Sequence, residues 1–129
     1  MMKLSKLALL ASLAMTAHAA VAIEACDRYQ TSYERTLCAA KLFVDSDNEL
    51  NAEYKKLRKF TKGKTDSALV QTQRDWLQYR ADTCETAPGI TDADCSYRVN
   101  RERTEYLRTR ARECAAGVCD AAAITRQSW

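Results

Sequence analysis

The sequence predicts an all-α fold: a small three-helix domain built on an antiparallel helical hairpin and stapled by disulfides. Three observations predict it. Apolar residues recur in steps of three and four over long stretches. The three glycines and the one proline fall where that periodicity stops. Six cysteines follow an N-terminal export signal, an even count that reads as three bridges in an oxidising compartment.

The export signal accounts for residues 1–19. Met1 to Lys6 carries two lysines, Leu7 to Met15 is an apolar run, and Ala17-His18-Ala19 is the small-x-small pattern of a cleavage site. An apolar run of this length falls well short of the roughly 18 residues that span a bilayer. Ile23-Glu24-Ala25 before Cys26 does not read as a lipid-attachment site. The expected organisation is therefore a signal peptide over 1–19, a helical domain over 20–119 and a C-terminal tail over 120–129. The mature chain is expected in the periplasm or secreted, with no membrane span.

Cleavage alters the chemistry on offer. Of 20 basic and 17 acidic residues, Lys3 and Lys6 are removed, so the net charge falls from +3 to +1. A near-neutral domain has no footprint for nucleic acid. The single histidine, His18, leaves with the signal. Without imidazole there is no Ser-His or Cys-His pair and no histidine metal ligand, so the expectation is a non-enzymatic protein with no cofactor. Cysteine spacings of 12, 46, 11, 19 and 5 contain no CxxC pair, against structural zinc. Carboxylates are plentiful, yet no element singles out two of them as a glycosidase pair.

The first helix is expected from Ser32 to Lys59, because Thr31-Ser32-Tyr33-Glu34 has the form of a capping box. Its inward stripe reads Leu37, Ala40, Phe43/Val44, Asp47, Leu50, Tyr54 and Leu57. The turn around Gly63 leads to a second helix starting near Asp66 as N-cap and ending near Cys84, with Leu69, Gln73, Trp76/Leu77 and Arg80 inward. Pro88-Gly89 marks the next break. A third, Arg-rich helix runs from Asp92 or Asp94 to about Cys114, with Val99, Arg103, Tyr106/Leu107 and Arg110 inward or half-inward. After Gly117, residues 120–129 read as a frayed tail or a short helical turn.

A short turn between the first two helices makes them an antiparallel hairpin. Folding about it sets Leu50 and Asn51 near Trp76, Tyr54 near Gln73, and Asp47 near Arg80. The same layout selects the bridges. Cys84 ends one helix and Cys95 begins the next; Cys26 can turn back onto Cys38; Cys114 and Cys119 flank Gly117. Each such loop stabilises by about 2–4 kcal/mol.

Asp47 and Arg80 are charged residues on apolar stripes, so they are expected as an interhelical ion pair with Asn51 and Gln73 completing a polar network. Trp76 and Tyr79 read as core and rim aromatics. The arginines at 98, 101, 103, 108, 110 and 112 are interleaved with Glu102, Glu105 and Glu113, the pattern of a solvated, ion-paired face.

These residues carry a resemblance. Asp47-x-x-Leu50-Asn51-x-x-Tyr54, followed by Gln73-Arg74-x-Trp76-x-x-Tyr79-Arg80-x-x-x-Cys84, resembles the lysozyme inhibitor LprI family of exported bacterial domains. Cys38, Cys95 and Arg103-x-x-x-Leu107 match the same pattern, which spans residues 26–107; Cys114 and Cys119 are an addition to it. The resemblance implies a helical domain whose named members inhibit lysozyme, and so a protein partner such as lysozyme or another cell-wall hydrolase. The alternative is an interaction, envelope-stress or immunity protein with a different partner. Against a basic lysozyme, a net charge of +1 gives no global steering, which leaves local complementarity. The loop bearing Glu85, Asp92 and Asp94 is the first expected contact. Lys62 and Lys64, facing a carboxylate-lined cleft, are the competing one.

Overall fold

The computed structural model describes residues 26–129; the export signal expected over 1–19 lies outside them. Helix α1 spans Ser32–Arg58 and begins with the capping box expected of it. Thr31 Oγ1 accepts from the Glu34 N–H at 3.2 Å, and Glu34 Oε2 accepts from the Thr31 N–H at 3.2 Å. The Thr31 hydroxyl also donates to Glu34 Oε2 at 2.7 Å, and this bond, with that from the Thr31 N–H, holds the Glu34 carboxyl below the usual range.

Helix α2 spans Gly63–Cys84, with Lys62 in the N-cap position four residues before the expected Asp66. Asp66 is not an N-cap. Its carboxylate receives Arg58 Nε and Nη2 at 2.9 and 2.6 Å and the Thr61 hydroxyl at 2.8 Å, clamping the turn between the helices. Gly63, at φ +53°, opens α2 in a left-handed conformation that side-chain-bearing residues rarely adopt. A two-stranded ribbon follows, β1 Glu85–Ala87 against β2 Ile90–Thr91, turning through Pro88-Gly89. Helix α3, Ala93–Ala115, is capped by Asp92, whose Oδ1 accepts from the N–H groups of Asp94 and Cys95 at 2.8 and 3.1 Å. The chain then reverses at Gly117 and ends in a short helix α4, Ala121–Ile124.

The bridges are Cys26–Cys38, Cys84–Cys95 and Cys114–Cys119, the sequential pairing that the layout selects. Helices α1 and α2 run antiparallel, as the Asp47–Arg80 contact requires, but the closest helix pair is α1 with α3, which lie parallel. The reason is side-chain size. Ala39 and Ser46 on α1 face a helix whose inner side carries Ser96, Asn100, Thr104 and Ala111, and small side chains let backbones approach. The larger residues Leu50, Leu57, Leu69, Trp76, Leu107 and Ile124 form the core proper.

This seam rotates α1 away from the expected stripe. Leu37 and Val44 are 59% and 55% exposed, and Leu77 of α2 is also exposed, whereas Ser46 and Glu53 are buried. The terminal segment takes the form of a short helical turn rather than a frayed end, and it is packed. Ile124 is 1% exposed within the core, and the Trp129 ring packs on that of Tyr79, tilted by 46° with centroids 5.9 Å apart. Among the described residues no helix is long and apolar enough to cross a membrane.

Candidate functional site

The motif residues converge at mid-height of the bundle. Arg80 Nη1 donates to Asp47 Oδ1 and to Asn100 Oδ1, each at 2.7 Å. Asn100 Nδ2 donates to Ser46 Oγ at 3.0 Å, so one guanidinium ties α1, α2 and α3 together. Asn51 Nδ2 reaches Asp47 Oδ2 at 3.2 Å. The Arg80 guanidinium also lies 5.3 Å from the Phe43 ring centroid and 5.4 Å from that of Trp76.

A second polar contact lies one turn along. Gln73 Oε1 accepts from Arg103 Nε at 3.1 Å, so Gln73 serves Arg103 rather than the Asp47–Arg80 pair. Arg103 is buried, and loss of hydration pulls its guanidinium down to about 10. Leu50, Trp76 and Leu107 fill the space between these contacts as core. Tyr54 packs against that core below Arg58, and partial burial pushes its hydroxyl up. Arg74 stands exposed, outside the network. Ser46 and Asn100 are the members that the sequence does not announce, because a small polar residue on a helix carries no sign of facing inward.

The two ends of the bundle differ in charge. At the end where α1 and α3 begin, Asp27, Asp92 and Asp94 share a shallow groove with Arg35. Glu85, at the base of the adjoining ribbon, accepts from the Gly89 N–H at 2.7 Å and braces its turn. Ile90 stands 60% exposed on that ribbon. At the opposite end Lys62 lies with Lys55, Arg58 and Lys59 around the turn closed by Asp66, and Lys64 is exposed on the first turn of α2. The two sets of expected contact residues therefore occupy opposite poles. Further along α1, Glu49 and the buried Glu53 face Arg101 and Arg108 of α3, with Arg101 Nη1 2.9 Å from Glu49 Oε2 and Arg108 Nε 3.6 Å from Glu53 Oε1. That accounts for part of the arginine run as an interhelical seam.

The family profile described as Lysozyme inhibitor LprI matches residues 23–107, which hold α1, α2, the ribbon and the first two-thirds of α3. The chain belongs to the lysozyme inhibitor LprI family. No curated protein and no solved structure matches it. In LprI terms, the Asp47–Arg80–Asn100 network and the Gln73–Arg103 contact both fall within the matched residues. The Cys114–Cys119 bridge, α4 and Trp129 follow its end. Among the described residues no group of three or more His, Cys, Asp or Glu side chains is arranged to hold a metal ion.

Proposed function

We propose that this LprI-family chain is an exported, non-enzymatic protein that binds and inhibits a lysozyme or a related peptidoglycan hydrolase, in the periplasm or beyond the cell. The observation that carries the reading is the family match over residues 23–107. The contact we assign is the ribbon between Cys84 and Cys95. It is tied to α2 and α3 by their disulfide, presents the exposed Ile90, and is bordered by Glu85, Asp92 and Asp94. A rigid apolar tip with an acidic border suits a basic protein surface, since little ordering is needed on binding and the charges steer the encounter.

The test is lysis of a cell-wall suspension by lysozymes of the C, G and I types, with and without the oxidised protein. The expected result is a fall in initial rate that saturates near stoichiometric amounts for at least one type. No protection at several-fold molar excess over all three would sink the inhibitor reading and leave a different protein partner. Glu85→Gln with Ile90→Ser and Asp94→Asn should weaken inhibition, while Lys62→Glu with Lys64→Glu should not. The reverse outcome moves the contact to the basic pole. Asp92 is left in place because it caps α3.

A further inference from the structure

Arg103 is the buried cation that the network leaves uncompensated. It is 4% exposed; its Nε is taken up by Gln73, and its Nη2 has no partner. Among the described residues no carboxylate lies within ion-pair distance of it. Aromatic faces surround it instead, with the ring centroids of Trp76, Tyr106 and Trp129 at 5.8, 5.5 and 5.6 Å. Burying a guanidinium without an anion is costly, and ring faces compensate only in part.

A cavity of about 130 Å³ adjoins Arg103, walled by Trp76, Tyr79, Val99, Tyr106 and Trp129. We propose that this cavity is a binding site for a small carboxylate, paired with the Arg103 guanidinium inside the aromatic wall and covered by the terminal segment that ends in Trp129. A carboxylate supplies the anion that this guanidinium lacks, and a hydrogen bond between the two is charge-assisted. The walls suit an apolar stem on that acid, and a cavity near this volume holds a ligand of on the order of six heavy atoms. Arg103 is the only cation among its lining residues, and Glu102 lines it as well, which disfavours a multiply charged anion such as phosphate.

The cover is built by residues beyond the family match. The Cys114–Cys119 bridge reverses the chain. The Tyr106 hydroxyl then donates to the Ala123 carbonyl, and Gln127 Nε2 donates to Asp75 Oδ2 at 2.6 Å, laying the segment along α2 and α3. The site stands independently of the lysozyme reading.

Trp76 and Trp129 are the chain's two tryptophans and both border the cavity, so intrinsic fluorescence reports its occupancy. The oxidised protein is titrated with sodium propionate, with propionamide as the neutral isostere, and with sodium chloride at matched ionic strength. N-acetyl-alanyl-alanine supplies the same group as the end of a peptide, of which the terminal residue alone enters the cavity. A saturable change is expected with propionate or with the dipeptide, at least about tenfold tighter than with propionamide. Saturation by propionate identifies a free acid as the source, and saturation by the dipeptide alone identifies a chain end. Arg103→Met should abolish the response. Trp129→Ala, which leaves the helices intact, should weaken it. The proposal is overturned if neither acid saturates, if propionamide or chloride responds equally, or if Trp129→Ala binds as the parent does. The comparison of acid with amide in the unaltered chain decides even where Arg103→Met does not fold.

Discussion

Arg80→Ala should be one of the most damaging single truncations of a charged residue in this domain, and Asp47→Ala a mild one, although the two form a single ion pair. The side chains of Arg80 and Asp47 are 18% and 35% exposed. Their bond, discounted for solvent at the Asp47 end, is worth about 1 kcal/mol. Removing Arg80 also strands Asn100 Oδ1, in a residue that is 0% exposed, at a further cost of about 1–3 kcal/mol. Loss of the cation over the rings of Phe43 and Trp76 adds about 0.5–1 kcal/mol. The sum is about 2.5–5 kcal/mol for Arg80→Ala. Asp47→Ala leaves Arg80 on Asn100 and costs about 1 kcal/mol. Urea unfolding of the oxidised protein, followed by circular dichroism for the parent, both single variants and the double, gives these values and a coupling energy near 1 kcal/mol. Equal costs for the two single changes, or a coupling below about 0.3 kcal/mol, would refute the assignment of Arg80 as the tie among three helices.

Ile124→Ala should destabilise by about 2–4 kcal/mol in the same assay, as for any fully buried aliphatic side chain; a loss below about 1 kcal/mol would show that the terminal segment is not core. Leu37→Ser with Val44→Ser should change stability by no more than about 0.5 kcal/mol, because both side chains face solvent; a multi-kcal loss would restore the inward stripe. The hydrogen bonds from Arg58 and Thr61 lower the Asp66 carboxyl from 3.8 to about 2. A carboxylate depressed in the folded state contributes stability that is present above its unfolded value and lost as pH falls through its folded value. The turn clamp should therefore hold above pH 3.8 and fail as pH falls through about 2. Carbon-13 titration of Asp66 checks this, with Arg58→Met returning it toward 3.8; an unshifted Asp66 in the parent chain would disprove the clamp.

The starts of α1 and α3 were legible because they are written in local chemistry. Thr31 and Glu34 lie three apart, and Asp92 precedes an Arg-rich run, so the same residues that signal a cap make it. The Asp47–Arg80 pair was legible for a different reason: two opposite charges on apolar stripes have few stable arrangements except each other. The face that α1 buries was legible in its second half, at Leu50 and Leu57, and not in its first. Periodicity finds a stripe of large apolar residues, whereas α3 approaches along Ala39 and Ser46, where bulk is absent. Asp66 reads as a helix start because Asp favours caps, and its clamp depends on Arg58 and Thr61 being brought back by the turn. The cavity beside Arg103 was hidden for a similar reason, since one of its walls is Trp129, twenty-six residues further along.

The three bridges close separations of 12, 11 and 5 residues, and none of them crosses the seam between α1 and α3. Six thiols admit 15 pairings, but the cost of closing a loop rises with its length, so consecutive cysteines meet most often in an unfolded chain. A chain emerging N-terminus first into an oxidising compartment presents Cys26 and Cys38, then Cys84 and Cys95, then Cys114 and Cys119. Each pair can be oxidised before the next arrives. The correct covalent pattern is then the kinetically favoured one and needs no reshuffling. The long-range step, in which Asn100 finds Ser46, is left to non-covalent forces and stays reversible after every sulfur has been committed.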